Sequence, residues 1–273
     1  MNCGYSSGTT DQIFSQVKKK SIHESMDPKS IRLREARDSE VHPNTYPIII
    51  ALDVTGSMRD VPLYFLREYL TKIISRIQQS GFQDLAILIM AVGDGICDRA
   101  PLQVGQFESG DVELDLWLTR IWPEGGGGGN AGESYHLAWY FASKFIEHDS
   151  WDKRNKKGLL LTIGDEPNLS QLTSKEIQEI FDIQDKTYSD SELLEMAESK
   201  FDVYHLHVNH SSQSYSAERY WKKLLNQHCL ATNKHDDSPR LISDLVLNLI
   251  GELGPHDVPI ADPLSSMKDQ IVL

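Results

Sequence analysis

Apolar residues follow two rhythms along this chain. The runs Tyr46–Asp53 (YPIIIALD), Leu85–Val92 (LAILIMAV) and Gly158–Gly164 (GLLLTIG) carry no polar face. Runs of that length, apolar on both sides, predict strands buried within a parallel sheet. A shorter run at 202–208 predicts a further strand, with small ones at 103–107 and Cys229–Thr232. Between them the period changes. Leu63, Leu66, Leu70, Ile73, Ile74 and Ile77 recur at three- and four-residue steps, the spacing of one helix face. Ser57 with Asp60, or Asp60 with Pro62, could start this helix, and Gly81 could stop it. Further helices are predicted over 112–122, 131–147, 173–181, 190–200, 216–227 and 242–253. Buried strands alternating with amphipathic helices predict an α/β, doubly wound fold: a mostly parallel central sheet with helices on both faces.

The ends differ from the middle. Residues 1–44 are polar and charged and are expected to form an N-terminal extension with a short helix over 30–38. Residues 45–253 are expected to form the folded domain, and 254–273, with three prolines, a C-terminal tail.

The net charge of −13 disfavours nucleic acid or an anionic membrane as the main partner. Cys3, Cys97 and Cys229 are odd in number and form no CxxC pair, so neither a disulfide framework nor a zinc site is expected. The first 20 residues have no apolar core of signal-peptide length, and no segment reaches about 18 consecutive apolar residues, so no membrane span is expected. These features predict a cytoplasmic protein.

The chemistry concentrates where the first strand ends. Asp53, Thr55 and Ser57 follow at two-residue intervals in DVTGSM. One carboxylate and two hydroxyls thus share a turn, a hard-oxygen set suited to Mg²⁺ or Mn²⁺. Asp165 closes the 158–164 strand, at the same carboxyl edge of the predicted sheet. In open α/β sheets ligands bind at that edge, where the strand order reverses.

DVTGSM, the glycine-rich loop before Asn130 and the strand ending in Gly164-Asp165 together resemble a von Willebrand factor A-like (vWA) domain over most of the chain. The resemblance implies a Rossmann-like sheet and a metal-ion-dependent adhesion site, or MIDAS, holding Mg²⁺ (or Mn²⁺). Its ligands would be Asp53, Thr55, Ser57 and Asp165. It also implies a protein-binding module rather than an enzyme. Such a module docks a partner carboxylate, often beside an AAA+ ATPase or in a multiprotein assembly. The second loop departs from the family pattern: the usual threonine position falls on Gly129, leaving Asn130, Glu133 or water to fill it.

Two alternatives stand beside this reading. A haloacid-dehalogenase-type phosphatase would use Asp53 as nucleophile, but Thr55 and Leu169 stand where it needs further aspartates. A metal-independent scaffold would follow if the departure at Gly129 abolished metal binding. Gly125 to Gly129 lack the lysine of a phosphate loop and read as a frame for the site. His205, His207 and His210 read as a solvated or partly packed strand end. Asp94, Asp98 and Arg99 read as a turn after the second strand, with Asp94 a possible outer carboxylate. Glu166, next to Asp165, likewise reads as part of a turn. Trp122, Tyr135, Trp139 and Tyr140, which flank the glycine loop, read as core packing under a helix.

Overall fold

A computed structural model describes residues 21–125, 132–209 and 214–251. Ten strands are present among them: β1 (Arg34–Ala36), β2 (Tyr46–Asp53), β3 (Leu85–Val92), β4 (Leu102–Val104), β5 (Ile146–His148), β6 (Gly158–Gly164), β7 (Gln171–Leu172), β8 (Tyr188–Ser189), β9 (Phe201–Val208) and β10 (Cys229–Thr232). Six of them form the central sheet in the order β10-β9-β6-β2-β3-β4. All neighbours run parallel except β4, which lies antiparallel to β3. The fold is therefore the α/β, mostly parallel class that the apolar runs predicted.

Every residue of β2, β3 and β6 is buried. Their alternating side chains serve two cores. Ile48, Ile50 and Leu52 face one layer of helices, and Ile49 and Ala51 face the other. The first layer holds α1, which begins as Val61–Tyr64, passes through a π turn at Phe65–Tyr69 and continues as Leu70–Gln79. It also holds α2 (Asp111–Arg120). The second layer holds α3 (His136–Phe145), followed by the short α4 (Asp149–Asp152). It continues with α5 (Ser174–Phe181), α6 (Asp190–Glu198) and α7 (Ser214–Leu225). The last helix, α8 (Ser238–Ile250), returns to the first layer beside α1. Capping boxes at Thr173 with Glu176 and Ser189 with Glu192 start α5 and α6.

Several boundaries differ from expectation. The helix expected over 30–38 is strand β1, paired in parallel with β5. Its charges reach across to distant elements: Arg37 Nη1 donates to Asp149 at 3.0 Å and Asp152 at 2.7 Å. Met26, Ile31 and Ala36 are buried, so residues 21–44 strap the domain. The helix expected over 131–147 is shorter at both ends. Glu133 is held extended by its N–H donating to Pro167 O at 2.9 Å, and Ile146–His148 turns into β5. The α8 helix begins four residues earlier than expected, with Pro239 in its first turn, and ends at Gly251 with φ +86°. Residues 254–273 lie outside the described residues.

The sheet order places the site. From β2 the chain moves to β3 on one side, then returns to β6 on the other. The carboxyl ends of β2 and β6 therefore flank a strand-order reversal, and Asp53 and Asp165 stand at those two ends.

Candidate functional site

The turn after β2 is built by its own side chains. Asp53 Oδ1 accepts from the Thr55 N–H at 2.8 Å and from Thr55 Oγ1 at 2.6 Å. Thr55 Oγ1 and Ser57 Oγ are 3.1 Å apart. Ser57 Oγ then donates to Asp165 Oδ1 at 2.8 Å. All four residues expected from the sequence thus meet in one chain of oxygens. Neither start proposed for α1 forms a side-chain cap: Ser57 lies in the 3-10 turn Gly56–Met58 and spends its hydroxyl on Asp165, while Asp60 makes no cap bond.

Asp53 is fully buried. Its second oxygen accepts from the Tyr135 hydroxyl at 2.5 Å. Sequence reading placed Tyr135 in the core and missed this contact. The approach depends on Gly164, because a Cβ there would overlap the Tyr135 hydroxyl. Burial raises Asp53, the Thr55 and Tyr135 bonds oppose that rise, and its pKa comes to about 7. Tyr135 is itself pushed well above its usual range by burial and by Asp53.

Two further loops close on the site. After β3, Asp94 Oδ1 accepts from the Ile96 N–H at 2.8 Å, and the Asp94 N–H donates to Asp98 Oδ2 at 2.9 Å. The expected turn is there, and it holds Asp94 fully buried. Before α3, Gly132 takes φ +158°, and a Cβ there would press on Pro167 O at 2.7 Å. This close approach lets Glu133 join the loop after β6: Leu169 N–H donates to Glu133 O at 3.0 Å. Ser134 N–H donates to Gly93 O at 3.2 Å, tying in the loop after β3. Glu133 is buried, and burial followed by the charges of Asp53, Asp94, Asp98 and Glu166 pushes its pKa up to about 9. Glu166 is raised by burial and by Asp165. Among the described residues, none of Asp53, Asp94 and Glu133 forms an ion pair with lysine or arginine. Gly129 and Asn130 lie outside the described residues.

The histidines differ from expectation. His205 and His207 are fully buried rather than solvated. His205 stacks on Trp221 at 3.7 Å between centroids and pairs with Thr162 Oγ1 at 2.9 Å. His210 lies outside the described residues. Among the described residues, no group of three or more His, Cys, Asp or Glu side chains is arranged to hold a metal ion, so a cation at this site would depend on the Thr55 and Ser57 hydroxyls. No helix among them is long and apolar enough to cross a membrane.

No protein-family model matches the sequence, and no curated protein matches it. Solved structures resemble its fold. The pilus adhesin SpaC from Lactobacillus rhamnosus GG, in its open conformation, aligns at TM-score 0.53 and 10% identity over 80% of this chain and 31% of the adhesin. Proximal thread matrix protein 1 from the mussel byssus aligns at TM-score 0.50 and 9% identity over 76% of this chain and 48% of that one. A von Willebrand factor type A protein from Catenulispora acidiphila aligns at TM-score 0.44 and 11% identity, over 76% and 43% of the two chains. The chain thus spans about a third of the adhesin and about half of the byssus protein. At these identities the first two likenesses concern the fold alone.

Proposed function

We propose that this chain is a vWA-like, non-enzymatic binding module that docks a carboxylate of a protein partner at a divalent-cation site. The cation would be Mg²⁺ or Mn²⁺, held by Asp53, Thr55, Ser57 and Asp165. The observation that carries this reading is the bond from Ser57 Oγ to Asp165 Oδ1 at 2.8 Å, which joins two loops 108 residues apart.

The donors fit such an ion. They are hard oxygens, two of them neutral hydroxyls. Around them Asp94 and Glu133 are buried carboxylates without a lysine or arginine among the described residues. Burying unpaired carboxylates is costly, and a cation offsets that cost. A bound divalent cation supplies a Lewis-acidic position for an incoming carboxylate oxygen. The chain's own part is to hold Thr55 and Ser57 toward that position, with Tyr135 fixing Asp53 from behind. The partner is expected in the cytoplasm, as an AAA+ ATPase or a member of a multiprotein assembly. The phosphatase alternative still lacks its second and third aspartates, at Thr55 and Leu169.

The test is Mg²⁺ binding followed by calorimetry and melting temperature. Mg²⁺ should raise the melting temperature of the wild type and not that of Ser57→Ala or Asp165→Asn. Identical melting with Mg²⁺ and with chelator in the wild type would remove the basis of the proposal.

A further inference from the structure

Glu133 has a buried carboxyl oxygen that nothing described satisfies. Its Oε2 is sealed from solvent and has no hydrogen-bond partner among the described residues. Asp94 Oδ2 shares that condition, although Asp94 Oδ1 is used by the Ile96 N–H. A buried carboxyl group left in this state costs roughly 1–3 kcal/mol or more, so a fold that keeps one requires an explanation.

Position supplies the explanation. Glu133 is only 6% exposed, and its backbone is bonded at once to the loop carrying Asp165 and, through Ser134, to the loop carrying Asp94. Of the charged groups that face it, Asp53 acts most strongly, followed by Asp94, Asp98 and Glu166. The backbone beside the orphan oxygen is therefore tied to the loop after β6, which carries Asp165, and to the loop after β3, which carries Asp94. The glycine bend at Gly132, where a Cβ would collide with Pro167 O, holds it there.

We infer that Glu133 completes the oxygen shell of the divalent cation through a bound water, as the donor from the loop before α3. This rests on the proposed cation site. It changes the character of that site. A shell closed by a carboxylate carries one more negative charge than a shell closed by a hydroxyl. The cation is then retained without a partner, and it draws an outside carboxylate less strongly than it would with a hydroxyl in that one place.

Mg²⁺ alone is the probe, titrated calorimetrically into the full chain. Glu133→Gln keeps the shape and the backbone bonds but removes the charge. It should weaken Mg²⁺ binding about tenfold or more, in the range seen when groups supporting a metal are replaced. Its metal-free melting temperature should equal or exceed that of the wild type, because an orphan buried acid has been removed. Glu133→Asp, which restores the charge on a shorter arm, should recover part of the affinity. Glu133→Gln that binds Mg²⁺ as the wild type does, or that lowers only the metal-free melting temperature, overturns the assignment and leaves Glu133 a structural residue. Absence of Mg²⁺ binding by the wild type instead overturns the cation site on which the assignment depends.

Discussion

Asp53 shows how a single buried acid organises its surroundings. It is fully buried at a strand end, and three donors point at it: the Thr55 N–H, Thr55 Oγ1 and the Tyr135 hydroxyl. Removing one donor leaves the desolvation cost unmet. Tyr135→Phe should destabilise the metal-free protein by about 1–3 kcal/mol in urea unfolding. The loss should be larger at pH 8 than at pH 6, since below about 7 Asp53 takes up a proton and needs its donors less. An equal loss at both pH values would mean that the tyrosine acts through packing alone. Asp53, Thr55 and Ser57 could be read from the sequence because they are neighbours within one turn. Asp165 could be read from its place after an apolar strand. Glu133 was legible only as one of several candidates for the second loop, and Tyr135 was not legible as a site residue, for its partner lies far along the chain. Tyr135, 82 residues from Asp53, sits beside Trp139 and Tyr140 and looks like one more core aromatic.

At the scale of elements, the central strands were legible because burial on both faces leaves no polar position to confuse their pattern. β2, β3, β6 and β10 have the bounds their apolar runs predict. β1 and β5 were not legible. They have three residues each and are rich in charge, and their pairing joins Arg34 to Ile146 across the chain. Charges whose partners are remote read locally as a solvated helix face. The same segment carries apolar anchors. Met26 is wholly buried in the first core, and Ile31 is buried in the second. Met26→Ala should therefore cost about 2–5 kcal/mol, the usual range for a large core side chain cut to Ala. An unchanged urea midpoint would show that residues 21–44 detach without consequence for the domain.

Over the whole molecule, buried titratable groups set opposing trends with pH. His136, His148 and His205 are all lowered by burial, His148 to about 4. The unfolded chain binds protons at these histidines before the native state does, so their contribution falls as pH drops below about 6.5. Asp53 and Glu133 act in the other direction. Their native pKa values, about 7 and about 9, lie above the unfolded values. They keep protons that the unfolded chain has released, so their contribution is full below about pH 4 and is lost as pH rises through 7 and 9. The histidines therefore weaken the metal-free protein toward acid, and the two carboxylates weaken it toward alkali. On the alkaline side it should lose at most about 1.4 kcal/mol per pH unit for each proton involved. Saturating Mg²⁺ should flatten that alkaline side. Urea midpoints from pH 5 to 9, with and without Mg²⁺, check both statements, and two superimposed curves would count against a cation among these carboxylates.

The sheet has one more effect on the site. β2 and β6 are adjacent, with Leu52 paired to Ile163 just before Asp53 and Asp165 leave the ladder. The two halves of the oxygen chain therefore stand one interstrand spacing apart, roughly 4.8 Å, and the backbone ladder sets that gap like a fixed ruler. A rearrangement that parted them would have to unzip the centre of the protein. Any adjustment on ligand capture therefore has to leave the β2–β6 pairing whole, with the Ser57–Asp165 contact standing on a foundation that does not shift.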